Sequence, residues 1–375
     1  MDFELREEEQ AVADLARKIL GDHTTGERLK ELEAAGSARD EALWKALAEA
    51  NLLGTAIPEA QGGSELGFVA LCALLREVGR TVAPVPVYPA LVLGALPLAE
   101  FGSEAQRAEW LPAIARGESL LTAALTEFGT SDPLAPRTRA EGSGDAVRLH
   151  GVKELVPAAE EAALVLVPAR SGGGVPGLYL VDPRGDGATL EAQGAPDGQP
   201  HARLRLDDAP AVGRLGPEGD ASAALRWLVE RATAARCIMQ LGVTERALEM
   251  TAAYGRERIQ FDRPIGSFQA VHQRAADAWI QVEAIRLSAW EAVWRLSEGL
   301  PASEQVAVAK FWAAEGGQFA SYACQHLHGG IGIDRDYPLH RYFLWAIQLE
   351  HELGSARHQL ERMGRDIAAR GLPAA

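Results

Sequence analysis

The 375-residue sequence has no apolar run of the length needed to cross a bilayer, so membrane insertion is not expected. The start, MDFELREEEQ, lacks the basic-then-apolar layout of a signal peptide, which makes a cytoplasmic protein the expectation. Positive charge is in deficit: 37 Lys and Arg stand against 52 Asp and Glu, a net charge of −15. Nucleic-acid phosphates need a basic face, so nucleic-acid binding is disfavoured, although local arginines can still bind a small anion. Cysteine is scarce. Cys72, Cys237 and Cys324 form no CxxC pair and no metal spacing, so buried free thiols and no metal site are expected. His351-Glu352 begins like HExxH, but Ser355 stands where the second histidine of a zinc site must be. His326 and His328 are two apart and diverge on a helix. No GxGxxG follows a strand pattern, so a Rossmann site is not supported, and there is no internal repeat.

What is present separates into three zones by hydrophobic period. Residues 1–120 carry helical patterns. LREEEQAVADLARKIL places Leu5, Val12, Leu15 and Ile19 on one predicted face, and EALWKALAEANLLG runs to Gly54. Residues 121–218 change to short alternating or β-branched runs, such as AVRLHGVKELV and AALVLVPAR, split by Gly, Pro and Asp. This pattern predicts strands, hairpins and a small barrel or sheet. Residues 219–375 return to long amphipathic patterns, which predict a four-helix bundle whose fourth helix runs from His340 onward. The eight tryptophans are expected mostly in the core, with Trp279, Trp290 and Trp294 lining a bundle interface. A mainly α fold with an inserted β-domain creates interfaces that favour ligand clefts.

The most specific string is YGRERIQFDRPIGSFQAVH, Tyr254–His272. An ordinary helix corner accounts for Pro264 and Gly266, with Ser267 as the next cap, but not for the whole string. It resembles the acyl-CoA dehydrogenase flavoproteins, where this position reads R-x-Q-F-G-x-P-I-G-x-F-Q; Asp262 replaces the first glycine. LTEFGTSDPLAP resembles the family's T-E-P-x-A-G-S-D segment, with Phe128 for the proline, and HLHGGIGIDRDYPLHRYF resembles its Q-L-H-G-G-x-G segment and following Y-P stretch. The resemblance covers nearly the whole chain. It implies FAD, an acyl-CoA substrate, and an electron-transfer flavoprotein or similar acceptor. It also implies a homodimer, a homotetramer or a heterotetramer with a second dehydrogenase subunit. By position, Arg258 is the pyrophosphate arginine, flanked by Gln260 and Phe261, with Phe268 and Gln269 following. Gly329 and Gly330 offer close backbone approach from the neighbouring subunit, beside Gln325 and His326. Thr126 and Ser131 lie near the flavin and the thioester. An arginine fork with approaching backbone N–H groups suits a diphosphate without a metal.

The same resemblance implies α,β-desaturation of an acyl thioester, in which a carboxylate removes the α-proton while the β-hydride moves to flavin N5. Counted without gaps from Tyr337-Pro338, the usual base falls on Leu353; the alternative position on the first bundle helix falls on Ala232. Glu352 is one residue early and is the candidate base of a self-sufficient enzyme. The alternatives are a partner subunit that completes the flavin site but lacks the base, as in heteromeric bacterial enzymes acting on fatty-acid or steroid side chains, or a flavin-free scaffold. In the β-zone, Leu155 and Pro157 replace the family's Trp-x-Thr/Ser, and Leu344-Trp345 replaces its R-D pair.

Overall fold

A computed structural model describes residues 4–36, 39–130, 132–144 and 146–371; Ser131 lies outside the described residues. The chain forms two compact units. One comprises Leu5–Leu74 and Pro84–Ala232, the other Leu75–Ala83 and Thr233–Ala375 with Met1–Glu4.

The first unit opens with α1 (Glu7–His23), α2 (Gly26–Ala35), α3 (Glu41–Glu49) and the start of α4 (Gly67–Thr81), followed by α5 (Leu96–Phe101) and α6 (Glu104–Ala115). Polar caps set their starts. Asp40 accepts the Ala42 and Leu43 N–H groups at 3.0 and 3.2 Å, and Ser103 and Gln106 close a capping box. The buried stripe of α1 is Glu9, Val12, Ala13, Ala16 and Leu20, whereas Leu15 is 41% exposed. Of the expected Leu5, Val12, Leu15 and Ile19 face only Val12 is fully inside; the buried side is instead completed by the small Ala13 and Ala16, and Glu9 turns back onto Arg6 at 2.8 Å. Before α5, Tyr88–Ala95 winds as a buried π-helix, and the Leu96 N–H reaches Leu91 O. Gly94 presses there on Leu121, where an added Cβ would collide with the backbone.

Eight strands follow: β1 (Leu121–Ala123), β2 (Arg139–Glu141), β3 (Arg148–Pro157), β4 (Leu164–Arg170), β5 (Pro176–Val181), β6 (Ala188–Gln193), β7 (His201–Pro210) and β8 (Gly213–Leu215). They pair in the order β6-β7-β3-β2-β4-β5-β8, with β1 parallel to β4. The two ends of this path, β6 and β8, do not pair with each other among the described residues, so the sheet is open rather than a closed barrel. The β3–β7 register shifts between Lys153 and Val156, where Leu155 takes a φ of 49°.

The second unit is helical: α7 (Ser222–Glu257) from Thr233 onward, α8 (Gln269–Ser297), α9 (Ser303–His328), α10 (Leu339–His351) and α11 (Ala356–Arg370). The expected fourth helix is two helices, because the chain turns at Glu352–Gly354, where Leu353 has a φ of 56° and Gly354 of 95°. The end of α4 crosses α7 backbone to backbone, since a Cβ on Gly79 or Gly242 would strike the opposite helix's carbonyl. Around this crossing Arg76, Arg80 and Arg286 surround the buried Glu245 at 2.7, 3.0 and 2.7 Å. The three cysteines are buried and free. Only Trp44 and Trp345 of the eight tryptophans are fully buried, and Trp279 is 57% exposed, so the tryptophans are not mostly core as expected.

Candidate functional site: an exposed arginine corner and an over-determined turn

α7 ends at Glu257, and the Arg258 N–H closes its last turn on Tyr254 O at 2.8 Å. The chain then doubles back through the two-residue strands β9 (Ile259–Gln260) and β10 (Arg263–Pro264). Phe261 and Asp262, with φ of 54° and 62°, make the hairpin's left-handed turn. Arg258 O accepts the Ile265 N–H at 2.8 Å, fixing the corner from both sides. Gly266 is needed because a Cβ would sit 2.9 Å from Gly255 O. Arg258 is exposed, and among the described residues its guanidinium makes no ion pair. Phe261 is 87% exposed and meets Phe268 edge-to-face at 6.0 Å; Arg263 covers the Phe268 ring at 4.1 Å. Gln260 and Gln269 are also exposed. A free guanidinium beside an uncovered aromatic edge has the donor chemistry of a nucleotide diphosphate site.

Gly329 ends α9 with a φ of 64°, a conformation that requires glycine or near it. Gly330 differs: it has no positive φ, and a Cβ on it would meet nothing within 4 Å. Nothing in the chain itself demands glycine there, whereas a ligand approaching the backbone would. His326 is exposed and Gln325 half-buried, the latter lying against Gly332. Three rings that the sequence reading left aside connect this turn to the arginine corner. Tyr254, one helical turn before Arg258, stacks on His328 at 4.5 Å and 18°, and the His328 Nε2 lies 3.1 Å from the Tyr337 hydroxyl. The signal in the sequence was that the tyrosine opens the first quoted string and the histidine lies in the second, just before its glycines.

In the first unit Thr126 is exposed at the end of β1's extension, and its carbonyl accepts the Glu154 N–H at 3.0 Å. Its neighbour Glu127 is buried and fully engaged. Oε1 accepts from Lys153 Nζ at 2.6 Å, from the Thr138 hydroxyl at 2.7 Å and from the Thr138 N–H at 3.0 Å, while Oε2 accepts the Arg137 N–H at 2.5 Å. Burial alone would raise this carboxyl, but the Lys153 ammonium and the Thr138 donors outweigh it and hold the group below the usual range. This lock fixes the loop whose Phe128, replacing the family's proline, stands 85% exposed.

The two positions at which the resemblance led us to expect the base hold apolar residues. Ala232 is fully buried, and its carbonyl accepts the Tyr88 hydroxyl at 3.3 Å. Leu353 sits in the left-handed turn after α10. Glu352, immediately before it, pairs with Arg236 through contacts of 2.5 and 3.1 Å and accepts from Gln348 at 2.9 Å. The backbone at 352–354 is not helical, so a helical rotation of one residue does not describe how Glu352 and Leu353 diverge. The turn is held from all sides. The fully buried Lys310 donates to Leu349 O and Glu350 O at 2.6 and 3.0 Å, and Gln359 donates to Leu353 O at 3.1 Å. Glu350, whose carboxyl burial pushes up, accepts from Gln318 at 3.2 Å.

Sequence and structure comparisons converge on one family. Residues 6–118 match the description "Acyl-CoA dehydrogenase, N-terminal domain" and residues 223–368 "Acyl-CoA dehydrogenase, C-terminal domain". Acyl-CoA dehydrogenase FadE27 of Mycobacterium tuberculosis is 38% identical over 98% of this chain and 99% of its own. Among solved structures, the Tcur3481-Tcur3483 steroid ACAD variant is 46% identical with a TM-score of 0.91 over 97% of this chain and 98% of that one. The ChsE4-ChsE5 complex from Mycobacterium tuberculosis is 39% identical with a TM-score of 0.93 over the full length of both. With its helical, sheet and helical parts in the family's order and both family domains matched, the chain is a flavoprotein oxidoreductase of the acyl-CoA dehydrogenase family.

Proposed function

We propose that this chain is one subunit of a heteromeric, FAD-dependent acyl-CoA dehydrogenase that desaturates the α,β bond of an acyl-CoA thioester, and that the second subunit supplies the base. The observation that carries this reading is Leu353. The turn at the usual base position is built rigidly, yet it presents an aliphatic side chain, and the nearest carboxylate, Glu352, is tied to Arg236. α-Proton abstraction needs a carboxylate free to approach the substrate in a dry pocket. A carboxylate gripped by a guanidinium is a poor base, because taking a proton forfeits the ion pair.

FAD, when bound, supplies the acceptor for the β-hydride. This chain's residues would hold it: Arg258 toward the diphosphate with Gln260, Phe261, Phe268 and Gln269 near by, while the Gly329–Gly330 backbone with Gln325 and His326, and Thr126, would contribute to a cofactor site shared between subunits. The exposed α8 residues Trp279, Ile280 and Leu287 support a partner subunit, since a lone chain gains nothing by showing this apolar face to water. The two-chain complex among the similar structures, and the steroid ACAD beside it, favour a bulky acyl-CoA such as a steroid side chain. An electron-transfer flavoprotein or similar acceptor then reoxidises the flavin.

The test is anaerobic titration with acyl-CoA, followed by flavin absorbance, for the chain alone and for the chain co-expressed with a second dehydrogenase chain. Bleaching is expected only in the complex, and E352Q in this chain leaves the rate within about threefold. Bleaching by the isolated chain, abolished by E352Q, overturns the reading and makes Glu352 the base.

A further inference from the structure

His328 is buried at 4% exposure, and its hydrogen bonds define its proton. Nδ1 lies 2.8 Å from Cys324 O, an acceptor only, so Nδ1 carries the hydrogen. Nε2 then presents a lone pair, and the Tyr337 hydroxyl at 3.1 Å donates to it. Tyr254 covers one ring face at 4.5 Å and meets Tyr337 edge-on at 6.3 Å. The Thr251 hydroxyl, 3.5 Å from Nδ1, is engaged with Ala247 O at 2.7 Å. The groups packed directly on the imidazole are thus uncharged: Thr251 and Tyr254 from α7, Cys324 from α9, and Tyr337 ahead of α10. The nearest charges, Glu257 and Arg246, act on the Tyr337 hydroxyl and have opposite effects on it.

We propose that Tyr254, His328 and Tyr337 are positioning residues that clamp the Arg258 corner to the Gly329–Gly330 turn, and that FAD uptake requires His328 as the neutral, Nδ1-protonated tautomer. The inference rests on the FAD-site reading above. Its geometry is local. Tyr254 O is the acceptor that ends α7 at Arg258, and His328 is the last helical residue before Gly329. One stacked pair therefore joins the backbone that carries Arg258 to the backbone that carries Gly329 and Gly330. Protonation of His328 places an uncompensated charge in a ring cluster and turns Nε2 from acceptor to donor, against the existing Tyr337 hydroxyl bond. Burial already pushes the imidazole below its ordinary 6.5, with the Cys324 carbonyl opposing only in part.

The experiment measures FAD uptake against pH, by flavin fluorescence quenching, for the complex of this chain with its companion dehydrogenase chain. Wild type is expected to lose affinity on an acid limb below 6.5. Y337F removes the hydroxyl that favours the neutral ring, so it weakens uptake about tenfold, the worth of one buried hydrogen bond, and moves the acid limb up. H328Q cannot titrate, so it flattens the limb. If R258Q weakens uptake while Y337F and H328Q keep the wild-type affinity and limb, the clamp is wrong and the FAD site stands. If the wild-type complex takes up no FAD, the FAD-site reading fails, and the clamp is judged by the ¹⁵N shifts of His328 in the full chain: an Nδ1–H neutral ring upholds the tautomer, and an Nε2–H or doubly protonated ring at neutral pH overturns it.

Discussion

In the first unit a single buried pair, Glu127 with Lys153, anchors the loop that leads from Thr126 to Arg137. Glu127 uses both carboxylate oxygens on Lys153, Thr138 and the Arg137 backbone, and Lys153 spends a second hydrogen on Pro168 O at 2.8 Å. Breaking such a pair from one side strands a buried charge, at a cost of about 3–5 kcal/mol. Calorimetry is expected to show a loss of that order in K153M. The double variant E127Q/K153M is expected to lose less than the sum of its single variants, because it leaves no lone charge behind. The same pair gives an acid signature. Between the depressed folded value of Glu127 and its ordinary 4.5, the unfolded chain binds the proton that the folded chain refuses. Stability contributed by Glu127 is therefore complete above 4.5 and drains away as pH falls through the folded value, and E127Q should blunt that part of the acid-unfolding curve. Equal acid sensitivity in E127Q and wild type contradicts the assignment. No sign in the sequence marks Lys153 as buried, since nothing in a β-run distinguishes a lysine that points inward.

At the scale of elements, local chemistry explains what was legible. Long helices with a regular stripe, such as α8 and α9, stood out because 3.6-residue periodicity persists over many turns. Neither has a side-chain cap, and Ser267, expected to cap α8, turns back onto Pro264 O instead. The corner at Arg258 was legible because proline, two glycines and a left-handed hairpin turn leave few alternatives. The break after α10 was not. LEHELG has ordinary helix formers up to its glycine, and the turn exists because distant side chains reach its carbonyls: Lys310 from α9 and Gln359 from α11. The π-helix at Tyr88–Ala95 escaped for a similar reason, being a uniformly apolar run with no face to read. Because Lys310 is the buried cap of α10, K310M should leave two carbonyls without donors, each worth about 1–3 kcal/mol. Hydrogen exchange is the measurement: amides at 352–355 should quicken well before those of α8. Uniform quickening across the bundle speaks against a specific cap.

The whole molecule carries a net charge of −15 yet exposes Arg258, which makes no ion pair among the described residues, together with aromatic residues in its helical unit. A chain that repels itself in solution and still shows Trp279, Ile280 and Leu287 on one helix needs a reason for the apolar surface, and a second subunit is the economical one. On the reading proposed above, the apolar Ala232 and Leu353 at the expected base positions agree with a division of the chemistry between two chains. The surface and the site then make a joint prediction. I280E places a charge on that face without touching Arg258 or the ring cluster, so the isolated chain should keep its helical circular dichroism. In light-scattering chromatography with the companion dehydrogenase chain, I280E should elute as separate subunits where wild type co-elutes, and the flavin colour should be lost with the complex. Co-elution of I280E with full colour would move the interface off α8 and leave that apolar face without a role in assembly.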